Sequence, residues 1–276
     1  MGELIVCATP IGNLGDISDR VRAALASADV IAAEDTRRTL QLLNHLALRK
    51  PLISYYQHNR MLREDELLER ARRGERIALV SDAGMPCISD PGEELVRRFL
   101  AEGVPVTVVP GPCAALVGLI LSGFEMKRFV FEGFLPREGK ERRARLAELV
   151  GQPRTVILYE APHRVARTVA DLAGTLGAER RIALCRELTK LHEERAAMPL
   201  GEATAYLEAH PPRGEYVLVL EGAREASPAP EENLDEALTA CFQQGLELKE
   251  AVRSTCALLN LPRNQVYRRA LELKQR

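Results

Sequence analysis

Short apolar, β-branched runs alternate with helix-like stretches along most of the chain, and this alternation limits the fold more than any other feature of the sequence. Leu4 to Ala8, Val30 to Ala33, Ile77 to Val80 and Val104 to Val109 each sit beside a helical pattern, which predicts parallel sheet with crossover helices. Asp90 ahead of Pro91 predicts a helix N-terminus, and Gly103 after Glu102 predicts its end. Phe129 to Phe134, Thr155 to Tyr159, Ile182 to Cys185 and Tyr216 to Leu220 form a second series, predicting a second α/β unit that mirrors the first. Glu221 to Glu232, with its Ala226-Ser227-Pro228-Ala229-Pro230 core, has the composition of a linker. Beyond it only helices are expected: Leu234 to Gln244, Leu248 to Leu259 and Pro262 to Lys274, the last two resembling a helix-turn-helix. The expected organisation is an α/β domain over 1–118, a second α/β domain over 119–223 with a cleft between them, a linker over 224–232 and a small helical domain over 233–276.

The 276 residues, 46% of them hydrophobic, suffice for two cored domains. Lys and Arg number 38 against 39 Asp and Glu, which excludes a chain-wide basic field, so any nucleic-acid contact must be local. Two local candidates exist. Phe134 to Arg145 carries five basic residues and two acids, and Arg253 to Arg276 carries six and one. Charge alone allows both a phosphate-binding surface and a solvated helix face. The six cysteines are scattered without the close pairs of a zinc or redox site, so no metal is expected. No apolar run approaches the roughly 20 residues of a membrane span, and the expected location is the cytoplasm.

Chemistry-bearing loops follow the expected strands. The turn Thr9-Pro10-Ile11-Gly12-Asn13-Leu14-Gly15-Asp16 follows the first, with Glu34 and Asp35 about 20 residues on, where a dinucleotide fold places its ribose-binding acid. The first glycine of that fingerprint is missing and Pro10 stands at the strand end, which argues against a nicotinamide cofactor. Ser81 to Gly92 offers two carboxylates, two hydroxyls, two glycines and two prolines, a rigid turn suited to a ribose or an ammonium group. Pro110 to Ala115 is small enough for close approach to a flat ring. Tyr159 to Arg164 and Cys185 to Glu194 add titratable groups at strand ends of the second unit.

Five segments carry a family resemblance: Ala8-Thr9-Pro10-Ile11-Gly12-Asn13-Leu14, Glu34-Asp35-Thr36-Arg37, Ser81-Asp82-Ala83-Gly84-Met85-Pro86, Tyr159-Glu160-Ala161-Pro162-His163-Arg164 and Arg186-Glu187-Leu188-Thr189-Lys190. In this order the chain resembles the tetrapyrrole methylase superfamily and, within it, the ribosomal RNA small-subunit methyltransferase I family. The resemblance implies a homodimeric, two-lobed enzyme that binds S-adenosylmethionine between its lobes. It also implies methylation of the ribose 2'-hydroxyl of a decoding-centre cytidine in 16S ribosomal RNA of the small subunit. Carried over by motif, the cofactor contacts are Pro10, Asp82, Met85, Cys113, Ala114, Tyr159, Leu188 and Val217. Lys190 or Glu187 is expected to help the ribose hydroxyl attack, with Asp35, Arg37, Glu160 and Arg164 orienting the nucleotide. Arg37, Arg137, Lys140, Arg142, Arg143, Arg164, Arg263, Arg268 and Arg269 are the expected RNA contacts. Methylation of a tetrapyrrole precursor and a non-catalytic role in ribosome assembly are the competing readings.

Overall fold

A computed structural model describes residues 2–56, 59–223, 231–259 and 261–274. In it the first apolar series becomes β1 (Glu3–Cys7), β2 (Val30–Ala33), β3 (Leu52–Ser54), β4 (Arg76–Val80) and β5 (Val106–Val109). These pair in parallel in the order β3-β2-β4-β1-β5. Unbroken apolar runs are needed here because helices cover a parallel sheet on both faces. The crossovers are α1 (Asp19–Ser27), α2 (Thr36–His45), α3 (Arg60–Arg72) and α4 (Glu93–Ala101). Ser18 caps α1 by accepting from the Val21 amide, and Asp35 caps α2 by accepting from the Arg37 amide.

The helix expected from Pro91 starts later. Gly92, at φ +137°, is its cap, and a Cβ there would lie 2.8 Å from both Cys87 Sγ and Leu79 Cδ2. The turn therefore runs through Gly92, and Asp90 is released from capping.

The second series gives α5 (Ala114–Ser122), β6 (Phe129–Phe134), α6 (Gly139–Glu148), β7 (Thr155–Glu160), α7 (Pro162–Leu176), β8 (Arg181–Arg186), β9 (Glu194–Pro199), α8 (Leu200–Ala209) and β10 (Tyr216–Leu220). It does not mirror the first. The order is β6-β7-β10-β8-β9, and only β6 and β7 are parallel, because β10 runs against β7 and β8 and β9 runs against β8. The whole of α5 packs on this sheet: Gly118 lies so close to β10 that a Cβ would meet Val217 Cγ1 at 2.6 Å. A boundary after residue 118 thus falls inside α5, and the residues up to Ala223 form one compact unit.

The expected linker lies mostly outside the described residues. The second compact unit holds α9 (Glu231–Gln243), α10 (Leu248–Leu259) and α11 (Arg263–Lys274), closed over Leu234, Leu238, Val252, Leu261, Val266 and Ala270. Among the described residues no helix is long and apolar enough to cross a membrane.

Candidate functional site

The carboxyl edge of the first sheet is locked by its own backbone. Thr9 and Gly84 exchange amide hydrogen bonds of 2.8 and 3.1 Å, joining the loops after β1 and β4. Gly111, in the loop after β5, approaches Ala8 so closely that a Cβ would meet that residue's Cβ at 2.9 Å. In an open α/β sheet this edge is where ligands bind.

Against it lies the second sheet, and between the two opens a cleft of about 480 Å³. Asp82, Met85, Cys113, Ala114, Tyr159, Leu188 and Val217, seven of the eight expected cofactor contacts, line it. Pro10 does not: it lines a separate pocket on the other side of Asp82. Tyr159 is fixed by edge-to-face contacts with Phe131 and Phe134 at 5.1 and 5.7 Å, and its hydroxyl accepts from the Ala115 amide at 3.0 Å. Burial pushes its phenol up, so it remains neutral.

Glu34 and Asp90, not foreseen as site residues, stand in the same cleft with Asp82. Burial, then the neighbouring Glu34 charge, holds the Asp90 carboxyl up at about 7. Burial and the Asp82 charge raise Glu34 as well. The nearest cation is Arg38, 3.5 Å from Asp82 and more than half exposed. Sequence signals existed for both, in the distance of Glu34 from the first loop and in the place of Asp90 among the two carboxylates of the Ser81 to Gly92 turn, although Asp90 also reads as a helix cap. Phe134, read as strand core, is half exposed on the rim.

Strain is concentrated around the cleft. Among the described residues, four of the five non-glycine residues with left-handed backbone are Cys87, Ser89, Glu187 and Thr189, all in loops that flank it. Such conformations persist only where the surroundings over-determine them.

The expected catalytic residues divide. Lys190 donates to Glu187 and Glu215, both at 2.9 Å, and Glu215 lines the cleft. Its stem lies across Gly12, where a Cβ would come within 2.4 Å of Lys190 Cγ. Partial burial disfavours the ammonium, but the two carboxylates outweigh it and the net direction is up. Burial likewise opposes ionisation of Glu187, yet Lys190 and the Glu215 amide carry it below the usual range. Both groups stay charged at neutral pH. Asp35 is drawn down to about 2 by its hydrogen bonds with Arg37, so the two satisfy each other on the surface. Glu160 is buried, accepting from Thr168 at 2.6 Å and the Ala161 amide at 2.9 Å and pairing with Arg164 at 3.1 Å.

Three of the expected RNA contacts are corrected. Arg142 is 4% exposed and bonded to Asp171, Thr168 and the Pro136 carbonyl. Arg164 donates to the Leu135 carbonyl at 2.6 Å besides pairing with Glu160. Arg269 clamps Asp235 of α9 and Glu272. In each case the guanidinium is engaged by protein acceptors, and that of Arg142 is buried as well. Arg37, Arg137, Lys140, Arg143, Arg263 and Arg268 are exposed.

The two sheets and the cleft between them define a methyltransferase of the tetrapyrrole methylase class, and the model of the Tetrapyrrole (Corrin/Porphyrin) Methylases matches residues 3–204. The RsmI C-terminal HTH domain matches residues 227–274. The chain belongs to the ribosomal RNA small subunit methyltransferase I family. The relative of that name from Synechocystis sp. is 46% identical, with 99% of both chains covered. A relative of the same name from Thermotoga maritima is 45% identical over 222 residues, which are 99% of that protein and 80% of this one. Among solved structures, uroporphyrin-III C-methyltransferase from Thermus thermophilus complexed with S-adenyl homocysteine shares the fold. Its TM-score is 0.56 at 22% identity, over 80% of this chain and 97% of that one.

Proposed function

We propose that this chain transfers the methyl group of S-adenosylmethionine to the ribose 2'-hydroxyl of a decoding-centre cytidine in 16S ribosomal RNA of the small subunit, acting as a cytoplasmic homodimer. The observation that carries this reading is the cleft itself, where apolar and aromatic walls meet three carboxylates, Glu34, Asp82 and Asp90, with only the largely exposed Arg38 set against them. Glu34 and Asp90, half-buried and raised in part by neighbouring carboxylate charge, call for a cationic ligand. S-adenosylmethionine brings sulfonium and ammonium charges together with a flat adenine, which fits both parts of the wall. The residues that would hold it are Asp82, Met85, Cys113, Ala114, Tyr159, Leu188 and Val217, with Pro10 outside the set. Once bound, it supplies an electrophilic methyl carbon.

A ribose hydroxyl attacks poorly until its proton departs, so the protein must favour the developing alkoxide. Lys190 is the group for this, because its partners keep it protonated 2.9 Å from a cleft-lining residue. Glu187 is too weak a base to hold the proton, which passes to bulk water as the oxygen–methyl bond forms, and it acts by aiming Lys190. Its own carboxylate sits where a Cβ on Gly214 would lie 2.2 Å from Oε1. Most of the acceleration then comes from orientation in the cleft. Asp35 and Glu160, satisfied by Arg37, Thr168 and Arg164, support the walls. Homodimer formation is favoured by β5, an edge strand with Val108 exposed, and by the exposed Leu116 and Ile120 of α5.

The test combines calorimetry with S-adenosylmethionine and mass mapping of methylated ribose in small subunits from cells lacking the gene, before and after treatment with purified protein. Expected are one cofactor site per chain and one new 2'-O-methylcytidine. Lys190→Ala should retain cofactor binding and lose about 100-fold in turnover, in the range of one lost electrostatic donor. Binding of cofactor without any RNA methylation would sink the substrate assignment, and absence of cofactor binding would sink the whole reading.

A further inference from the structure

A nucleotide whose sugar enters the cleft must leave its stacked strand, and its base then needs a new surface to lie on. Such a surface exists at the rim. Phe134 lines the cleft yet is 51% exposed, and its position follows from an irregularity in β6. Phe131 stands opposite Ile157, Gly133 opposite Leu158 and Phe134 opposite Tyr159, so Glu132 is an extra residue bulged out of the pairing. In an unbroken register Phe134 would fall opposite Glu160 and turn to the other face of the sheet, because successive side chains alternate. With the bulge, Phe131 and Phe134 both reach the ring of Tyr159, at 5.1 and 5.7 Å. A bulge beside a site re-aims a side chain in this way. Gly133 is required at the kink on two counts: its φ is +64°, and a Cβ there would lie 2.9 Å from Ser89 Oγ.

The chain is also anchored on the far side of Phe134. The carbonyl of Leu135 accepts from Arg164 at 2.6 Å and that of Pro136 from Arg142 at 2.9 Å, so α7 and α6 hold the segment that leaves the strand. The ring is therefore fixed in an exposed position, and beyond it come the exposed Arg137, Lys140 and Arg143. An aromatic platform beside a row of cations is how proteins hold single-stranded nucleic acid. We infer that Phe134 is the platform on which the everted base of the acceptor nucleotide stacks, with Arg137, Lys140 and Arg143 on the phosphates of the adjoining strand. Those cations favour this occupant over the adenine of the cofactor, which carries no phosphate. Stacking tolerates any base, so Phe134 sets where the base lies and not which base is chosen. The inference rests on the reading of the cleft as a ribose methyltransferase site and adds to it the surface that holds the acceptor.

The experiment uses the purified full chain and small subunits reconstituted with either a normal or an abasic nucleotide at the methylated position. On normal subunits Phe134→Ala and Phe134→Leu should each lower kcat/KM about tenfold or more, the loss expected of one base–aromatic stack. Phe134→Tyr should keep it within about threefold of the wild type. Leucine preserves an apolar contact with Tyr159, so it would suffice if the ring only filled space. On abasic subunits the wild-type protein should be slowed by a similar factor and Phe134→Ala should cost little more, since both changes remove the same contact. Calorimetric affinity for S-adenosylmethionine should stay within about twofold in every variant. Full kcat/KM in Phe134→Ala or Phe134→Leu, a Phe134→Tyr protein no better than Phe134→Leu, or a further tenfold loss on abasic subunits overturns the inference. Loss of cofactor affinity in Phe134→Ala also overturns it, since the ring would then belong to the cofactor wall. A wild-type protein that leaves normal subunits unmethylated sinks the parent reading instead, and that failure shows before any variant is compared.

Discussion

At the scale of single residues, Asp90 shows how burial turns an ordinary carboxylate into a sensor of its ligand. Its folded value of about 7 lies above the ordinary 3.8, so between those limits the native protein binds a proton that the unfolded chain has released. Asp90 therefore favours the fold fully below about 3.8, and that contribution is lost as pH rises to about 7. A cation in the cleft reverses the balance by favouring the ionised form. Affinity for S-adenosylmethionine should rise with pH through neutrality, with up to one proton released per site, seen as a buffer-dependent heat in calorimetry. Asp90→Asn should remove the proton release and raise the melting temperature of the free protein at pH 8. A pH-independent affinity in the wild type would contradict this account. The sequence shows the loop that carries Asp82 and Asp90 as ligand-binding because its residue types are unusual together, but it also offers Asp90 as a helix cap. The same Asp-Pro pair that signals a helix start is overridden by Gly92, whose contacts with Cys87 and Leu79 are tertiary and leave no trace in local pattern.

Among elements, the strands legible in the sequence are those dense in apolar, β-branched or aromatic residues. β2, β6 and β10 match their expected limits, whereas β3, of three residues, and β9, whose residues Glu194 to Pro199 lack an apolar run, went unread. β9 pairs only with β8 at a sheet edge, so its pairing comes from tertiary context, not propensity. Charge runs mislead in a related way. Within α6, Arg142 and Arg143 look alike in sequence, but helical geometry turns one toward Thr168 and Asp171 and the other to solvent. Arg142→Ala should destabilise the protein by about 3 kcal/mol, because it strands a buried Thr168–Glu160 pair and the Asp171 charge. Chemical denaturation would measure this. Lys140→Ala and Arg143→Ala should leave the denaturation midpoint in place and weaken association with small subunits; equal midpoints for all three variants would refute the distinction. On α5, Ile120→Lys should shift sedimentation toward the monomer, and an unchanged sedimentation coefficient would remove that face from the dimer contact.

Taken whole, the molecule divides its tasks between two units that share one chain, and the comparison with relatives separates their roles. The Thermotoga maritima protein bears the same name at 222 residues, about the size of the unit ending at Ala223, so that name does not require the full length of this chain. The helical unit adds a second cationic stretch to that of α6: exposed Arg253, Arg263 and Arg268 in a run with six basic residues against one acid. Its fold does not depend on those three, since α11 is held to α9 by the Arg269–Asp235 pair and by the apolar core they share. Removing the residues after Glu232 should therefore leave calorimetric affinity for S-adenosylmethionine within about twofold while weakening small-subunit association about tenfold at 0.1 M salt. The slope of log affinity against log salt should become shallower by about one unit for each phosphate that the truncated protein no longer neutralises. A truncated protein that binds subunits with the full affinity and the full salt slope would place RNA docking entirely on the main body, with the exposed Arg37, Arg137, Lys140 and Arg143 as the contacts to test.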